Sequence, residues 1–229
     1  MNNNNILTER LLAVASMISG TKVADIGTDH GKLLVYLAIN NRLEYGIGSD
    51  VNEGPAESCY RNVCKYGYQN IIQTRVGDGL DTISENEVES IVIAGMGGEL
   101  ILKILKSNLN VAHSAKELIL QPMTNIPRLI SGLGDLGFVV TDGRLAKEKD
   151  KLYQIFKVEK GENTQNNILD YYISPVYKRN NEPLLPELLK REIHKIKVKI
   201  QGLENADSMD YEEINLSKKL LREFENYEA

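Results

Sequence analysis

The sequence predicts an α/β fold: a doubly wound, mostly parallel sheet followed by a small helical appendage. Short apolar runs alternate with helical patterns from about residue 22 to residue 160, the signature of a parallel sheet covered on both faces. A chain of 229 residues holds one domain of about 150 residues and a smaller second part. The composition, 42% hydrophobic and 26% charged, is that of a globular chain able to bury a core.

The elements follow in order. A leading helix over 8–19 carries Leu11, Leu12, Val14, Ala15 and Ile18 at helical spacing. Apolar runs predict strands at 22–26, 45–49, 71–76, 88–94, 116–121, 138–145 and 152–159, with helices at 32–40, 55–66, 98–106 and 125–136 between them. Residues 146–151 are too few for a crossover helix, so the last two strands must pair as an antiparallel hairpin. Dinucleotide-binding dehydrogenases usually continue with parallel crossovers. The hairpin ending is that of Rossmann-like methyltransferases, an inference by fold analogy.

The polar stretch 161–167 predicts a linker, dividing the chain into domains 1–160 and 161–229. Beyond it Leu189, Ile193, Ile196, Ile200 and Leu203 form a short heptad stripe. A turn is expected at 206–210, with Ser208 or Asp210 as N-cap. A second helix is expected to send Tyr211, Ile214, Leu221, Phe224 and Tyr227 to the same seam, with Ser217 as its weak position. The tail is thus expected to be an antiparallel, coiled-coil-like helical hairpin. Residues 187–200 carry net +3 and residues 207–229 net −4, which fits either charge pairing between the helices or a basic face for phosphates.

Charge and composition exclude several classes. The net charge of −5 argues against a uniformly basic nucleic-acid binder and confines any RNA contact to a local patch. No apolar run approaches the roughly 20 residues of a membrane span. Residues 1–5 show no basic or apolar leader, so the expected location is cytoplasmic. Cys59 and Cys64 are five apart on one predicted helix, pointing in different directions, and predict neither a disulfide nor a metal site. No obligate protein partner is readable.

Chemistry concentrates where strands end. Asp25-Ile26-Gly27-Thr28-Asp29-His30-Gly31 follows an apolar strand and precedes a helix, the place where a glycine turn approaches a nucleotide-like ligand. Gly27 permits the tight turn, and Gly31 a close start of the next helix. A dinucleotide fingerprint has a glycine where this chain has Asp29, and its pyrophosphate is anionic. The carboxylates Asp25 and Asp29 suit a cationic ligand with an amino group, such as S-adenosylmethionine. Asp50, followed by Val51, lies nineteen residues after Gly31, where a ribose-binding acid is expected. Gly77-Asp78-Gly79 ends the third strand; Asp78 can accept from an adenine amino group while the glycines let a purine lie close. Ala94-Gly95-Met96-Gly97-Gly98 puts bare backbone beside the site. Gln121 can offer its amide to a base edge, and Pro122 is expected to end its strand. His30, at the helix start, is a candidate to orient substrate, whereas His113 and His194 read as surface residues. Arg10, on a leading helix that often lies over the ligand mouth in such folds, completes the set.

In their order, Ala24 to Gly31, Asp50-Val51-Asn52-Glu53-Gly54-Pro55, Gly77-Asp78-Gly79-Leu80, Ala94 to Gly98 and Leu118-Ile119-Leu120-Gln121-Pro122 resemble the bacterial tRNA adenine-N1 methyltransferases of the TrmK family, which modify adenine 22. The resemblance runs from about Leu7 to Glu159. It implies a class I methyltransferase sheet, S-adenosyl-L-methionine as cofactor and tRNA as partner. Asp25, Gly27, Thr28, Asp29, Gly31, Asp50, Val51, Asp78, Gly79, Ala94, Gly95, Met96 and Gly97 would then hold the cofactor. Asp29, His30, Arg10 and Gln121 are the catalytic candidates, in a direct in-line attack of adenine N1 on the sulfonium methyl. Rival readings are a methyltransferase of the same fold acting on another RNA, a protein or a small molecule, an NAD-dependent oxidoreductase, and a non-catalytic RNA-binding protein.

Overall fold

The computed structural model describes residues 6–162, 167–206 and 210–227, in two units, Met1–Asn163 and Thr164–Ala229. In the first, α1 (Glu9–Met17) precedes the alternation β1 (Lys22–Ile26), α2 (Lys32–Ile39), β2 (Tyr45–Asp50), α3 (Glu53–Tyr66), β3 (Ile72–Val76). It continues with β4 (Ser90–Gly97), α4 (Gly98–Ser107), α5 (Leu109–Ser114), β5 (Glu117–Thr124), α6 (Ile126–Asp135) and the hairpin β6 (Phe138–Glu148) and β7 (Lys151–Lys160). Among the described residues, the seven strands lie in the order β3-β2-β1-β4-β5-β7-β6. β1 to β5 pair in parallel, and β7 runs antiparallel to both its neighbours. The chain order reverses between β1 and β4, which makes that edge the topological switch point.

The strands are apolar on both sides because both sides are covered. Val23, Val92, Ile119 and Ile155 pack with Val14 and Met17 of α1, Leu34 and Leu37 of α2, and Cys59 and Val63 of α3. Their neighbours Ala24, Ile91, Ile93, Leu118 and Leu120 are equally buried, and successive side chains of a strand point to opposite faces. Beneath α6, a Cβ on Gly132 would fall 2.6 Å from Leu102 of α4, so helix contact there depends on a glycine. The predicted hairpin is present and tight: Glu148 pairs with Lys151, and Lys149 takes φ +55° in the two-residue connection.

The second unit holds α7 (Pro175–Arg179), α8 (Leu185–Glu204) and α9 (Tyr211–Glu225). The antiparallel pair of long helices was legible, but its seam differs in register. α8 buries Leu185, Leu188, Leu189, Glu192, Ile196 and Ile200; Ile193 and Leu203 are half-buried. A helix of 3.6 residues per turn drifts off a strict heptad, which brings Glu192 inward, paired with Arg191 and Lys195. On α9 the buried positions are Ile214, Ser217, Leu220 and Phe224. Leu220 replaces the expected Leu221, and Tyr211 is 68% exposed. Lys197–Glu225, Lys199–Glu213 and Lys218–Glu204 are ion pairs between the two helices, so charge pairing accounts for much of the tail's polarity. Asp210 caps α9 by accepting from Glu213 N at 3.0 Å; Ser208 lies outside the described residues, as do residues 163–166 of the expected linker.

Candidate active site

The site is built on the carboxyl ends of β1, β2, β4 and β5. After Ile26 the chain turns through Gly27 at φ +72°. The Gly27 and Thr28 amides both donate to Ser49 O of β2, at 2.8 and 2.9 Å. A Cβ on Gly27 would fall 2.1 Å from Met96 Cε, so the Met96 thioether of β4 lies against the bare turn. Asp25 is buried at 7% exposure, and Thr28 Oγ1 donates to its Oδ2 at 2.7 Å. Burial pushes the Asp25 carboxyl up to about 6; the Thr28 bond opposes this and the Asp29 charge adds to it.

Asp29 occupies a different environment. It is 73% exposed and stands 3.3 Å from His30 Nε2 and 3.5 Å from Lys32 Nζ. Its side chain does not cap α2. His30 and Gly31 both take left-handed conformations, at φ +58° and +62°, and Asn62 Nδ2 of α3 donates to His30 O at 2.8 Å. A Cβ on Gly31 would lie 2.6 Å from Cys59 Sγ. The close approach that Gly31 permits is therefore between α2 and α3, where the sequence led us to expect helix against sheet.

At the end of β2, Asp50 Oδ1 accepts from Asn52 N at 2.8 Å and Asn52 Nδ2 at 3.3 Å, and Val51 is 60% exposed. Asp50 O accepts from Gly77 N at 3.0 Å, which ties the β2 and β3 ends together. Asp78 is exposed. Cβ atoms on its flanking glycines would meet Thr82 at 2.7 Å and Ile104 at 3.0 Å, so packing against protein, with φ +52° at Gly79, is itself a reason for glycine at both positions.

β4 and β5 carry the largest corrections. Pro122 was expected to end β5, but the strand continues to Thr124, and its register with β4 shifts around Met96. The β5–β7 register stops at Leu120–Phe156, so Pro122 sits where β5 is paired on one side, which tolerates its missing N–H. Gln121 is not a solvated amide facing a base. It is fully buried, and Oε1 accepts from Arg10 Nη1 at 2.5 Å and from Gly95 N at 3.1 Å. Nε2 donates to Pro122 O at 2.8 Å. Gly95 takes φ +81°, and a Cβ there would meet Arg10 Nη1 at 3.7 Å, an ordinary van der Waals contact. Ala94 pairs with Gln121, and a Cβ on Gly97 would lie 3.1 Å from Thr124 Oγ1. Arg10 Cζ also stands 5.7 Å from the Tyr153 ring centroid, a cation–π distance. Of the other histidines, His194 is exposed. His113 is half-buried, with Nε2 2.8 Å from Leu136 O and its ring edge-on to Phe138.

The structure thus joins Asp25 with Thr28, Gly27 with Met96, Asp29 with His30, and Arg10 with Gln121 and Gly95. Asp50 and Asp78 belong to the same strand edge without touching these pairs. Sequence reasoning missed Tyr153 on β7, Asn62 on α3 and Ser49. The first two act across large sequence separations with no local signature.

Known proteins resemble this chain in sequence and fold. A family model for a methyltransferase domain matches residues 7–156. The curated tRNA (adenine(22)-N(1))-methyltransferase of Bacillus subtilis (strain 168) is 35% identical over 157 residues, covering 68% of this chain and 66% of that protein. The chain thus spans about two thirds of that relative's length. Among solved structures, Streptococcus pneumoniae Sp1610 in complex with S-adenosyl-L-methionine is 29% identical with a TM-score of 0.84, covering 96% of this chain and 98% of that one. B. subtilis TrmK is 27% identical with a TM-score of 0.80, covering 96% and 94%. The chain belongs to the methyltransferase domain family and, within it, groups with the TrmK proteins.

Proposed function

We propose that this chain uses S-adenosylmethionine to methylate N1 of an adenine in tRNA, the adenine at position 22, as the name of its B. subtilis relative states for that protein. The observation that carries the reading is the turn from Asp25 to Gly31: a buried carboxylate beneath a bare glycine backbone, with an exposed Asp29–His30 pair beside it. The residues fit the cofactor. Ser49 Oγ is buried with no hydrogen-bond partner among the described residues, and Gly27, at φ +72°, presents backbone without a Cβ.

In this reading Asp25 holds the cofactor's ammonium group, and the Gly27–Thr28 backbone lies along it. Asp50, whose bonds to Asn52 both fall on Oδ1, keeps Oδ2 for the ribose hydroxyls. Val51 and Asp78 flank the adenine end, while Ala94, Gly95, Met96 and Gly97 form the opposite wall. Bound there, the cofactor supplies an electrophilic methyl group. Adenine N1 has its own in-plane lone pair, so no residue needs to take a proton before attack. What the protein adds is alignment and exclusion of water. Asp29 meets the positive charge that develops on the methylated ring, and His30 orients the base. Arg10, fixed by Gln121 and the Tyr153 ring, bounds the pocket. The target adenine leaves its stack to reach them. A bacterial tRNA substrate is met in the cytoplasm, the location this reading implies.

Incubation with methyl-labelled S-adenosylmethionine and unmodified bacterial tRNA, followed by digestion to nucleosides, tests this. Label in 1-methyladenosine is expected; label in another nucleoside, or none, overturns the assignment.

A further inference from the structure

The turn at His30 has a second face. His30, Lys32, Ser58, Arg61 and Asn62 line an open groove of about 430 Å³ between the start of α2 and one side of α3. Its construction follows from local sequence. Ser58, Arg61 and Asn62 are spaced i, i+3, i+4, which puts them on one helical face, while Ala56, Cys59 and Val63 turn inward. Gly31 brings the two helices together over Cys59, and Asn62 clamps the His30 carbonyl. His30 and Lys32 are thereby held opposite Ser58 and Arg61.

The lining consists of cations and of side chains that can donate. It holds two permanent positive charges, a histidine, a hydroxyl and an amide, and no carboxylate. The acids that pair with it, Asp29 to His30 and Lys32 and Glu57 to Arg61, lie outside the lining. Arg61 uses Nη1 for Glu57 at 3.1 Å and Nη2 for Ser58 Oγ at 3.1 Å, so the guanidinium is already oriented. Both members of the Arg61–Glu57 pair are more than 60% exposed, a type of pair that is easily exchanged for another anion. On a chain of net charge −5, such a concave cationic patch has a definite preference: a phosphodiester, for which arginine offers fork geometry and lysine a point charge.

We infer that this groove binds the RNA backbone next to the target nucleotide, with Arg61 and Lys32 on phosphate oxygens and Ser58 and Asn62 as neutral donors. The inference rests on the tRNA reading above and deepens it. Phosphate contacts of this kind set register without reading sequence. One held beside Asp29 and His30 fixes how far an unstacked base reaches into the site.

The test uses the full chain, unmodified tRNA and S-adenosylhomocysteine, with tRNA affinity measured by anisotropy over a salt series. Arg61→Glu is expected to weaken tRNA binding about tenfold or more and to lower the salt slope by about one for each phosphate no longer neutralised. Glu57→Gln, which releases Arg61 from its partner, is expected to tighten tRNA binding several-fold, an outcome that misfolding cannot mimic. S-adenosylhomocysteine affinity should be unchanged in both. Unchanged tRNA affinity and salt slope in Arg61→Glu, with a parent that binds tRNA, overturns the groove alone. A parent that binds S-adenosylhomocysteine but no RNA overturns the tRNA reading itself.

Discussion

Thr28 Oγ1 donates to Asp25 Oδ2 at 2.7 Å, and this hydroxyl stabilises a carboxylate that the fold otherwise seals from water. The difference between the ordinary 3.8 and about 6 corresponds to about 3 kcal/mol against the charged form at neutral pH. Functional sites commonly carry such costs because a ligand relieves them. Asp25→Asn should therefore raise the thermal midpoint of the cofactor-free protein at pH 7 by several degrees while weakening S-adenosylhomocysteine binding at least tenfold. Calorimetry with and without ligand checks both. A variant that loses stability and keeps affinity contradicts the role given to Asp25.

The same carboxyl fixes a pH dependence. Its folded pKa lies above its unfolded one, so below about 3.8 both states hold the proton and Asp25 costs nothing. Between 3.8 and about 6 the unfolded chain releases its proton first, and stability falls as pH rises, levelling off above 6. With Asp25 in the proposed role of holding the ammonium group, cofactor affinity should move the other way, because that role requires the ionised carboxylate. It should rise up to tenfold per pH unit toward pH 6 and then flatten. Titration calorimetry at pH 5.5 in buffers of different ionisation enthalpy should detect a released proton, absent in Asp25→Asn.

Gln121 links Arg10 to Gly95 from a fully buried position. Truncation to Ala leaves a guanidinium and a backbone N–H unpaired, which should cost about 2 kcal/mol in denaturant unfolding. Because Arg10 and Gly95 both border the site, methyl transfer should fall with it. Arg10→Lys keeps the charge but loses the planar group that stands 5.7 Å from the Tyr153 ring centroid, so it should not restore full activity.

Gly31 combines φ +62° with a Cβ position 2.6 Å from Cys59 Sγ. Gly31→Ala should destabilise by about 2 kcal/mol, part strain and part overlap. In the double variant with Cys59→Ala the overlap disappears and the strain remains, so the two changes should be non-additive in unfolding measurements. Strict additivity would show that the Gly31–Cys59 approach is not what this glycine serves.

The succession of strands and their acidic ends were legible because they are written locally: apolar runs, glycine turns and an acid at or just after the end of each of the first three strands. The turn from Asp25 to Gly31 could be named, but not the contrast inside it, since burial of Asp25 and exposure of Asp29 depend on neighbouring elements. Gln121 was legible as a polar residue at a strand end. That its amide is spent on Arg10, 111 residues away, leaves no local trace. The short helices α5 and α7 went unread although each has a local start signal. Asn108 accepts from Val111 N at the head of α5, and Pro175 follows Ser174 in the first turn of α7, a place that suits proline. The tail register slipped because Leu220 and Leu221 are adjacent, and pattern alone does not decide which of two neighbouring leucines meets the seam.

Methyl transfer to two otherwise identical tRNA transcripts, one with adenine and one with guanine at position 22, measures the proposed adenine-N1 methylation most directly. Formation of 1-methyladenosine is expected in the first and no incorporated methyl in the second. Equal labelling of both transcripts would contradict it.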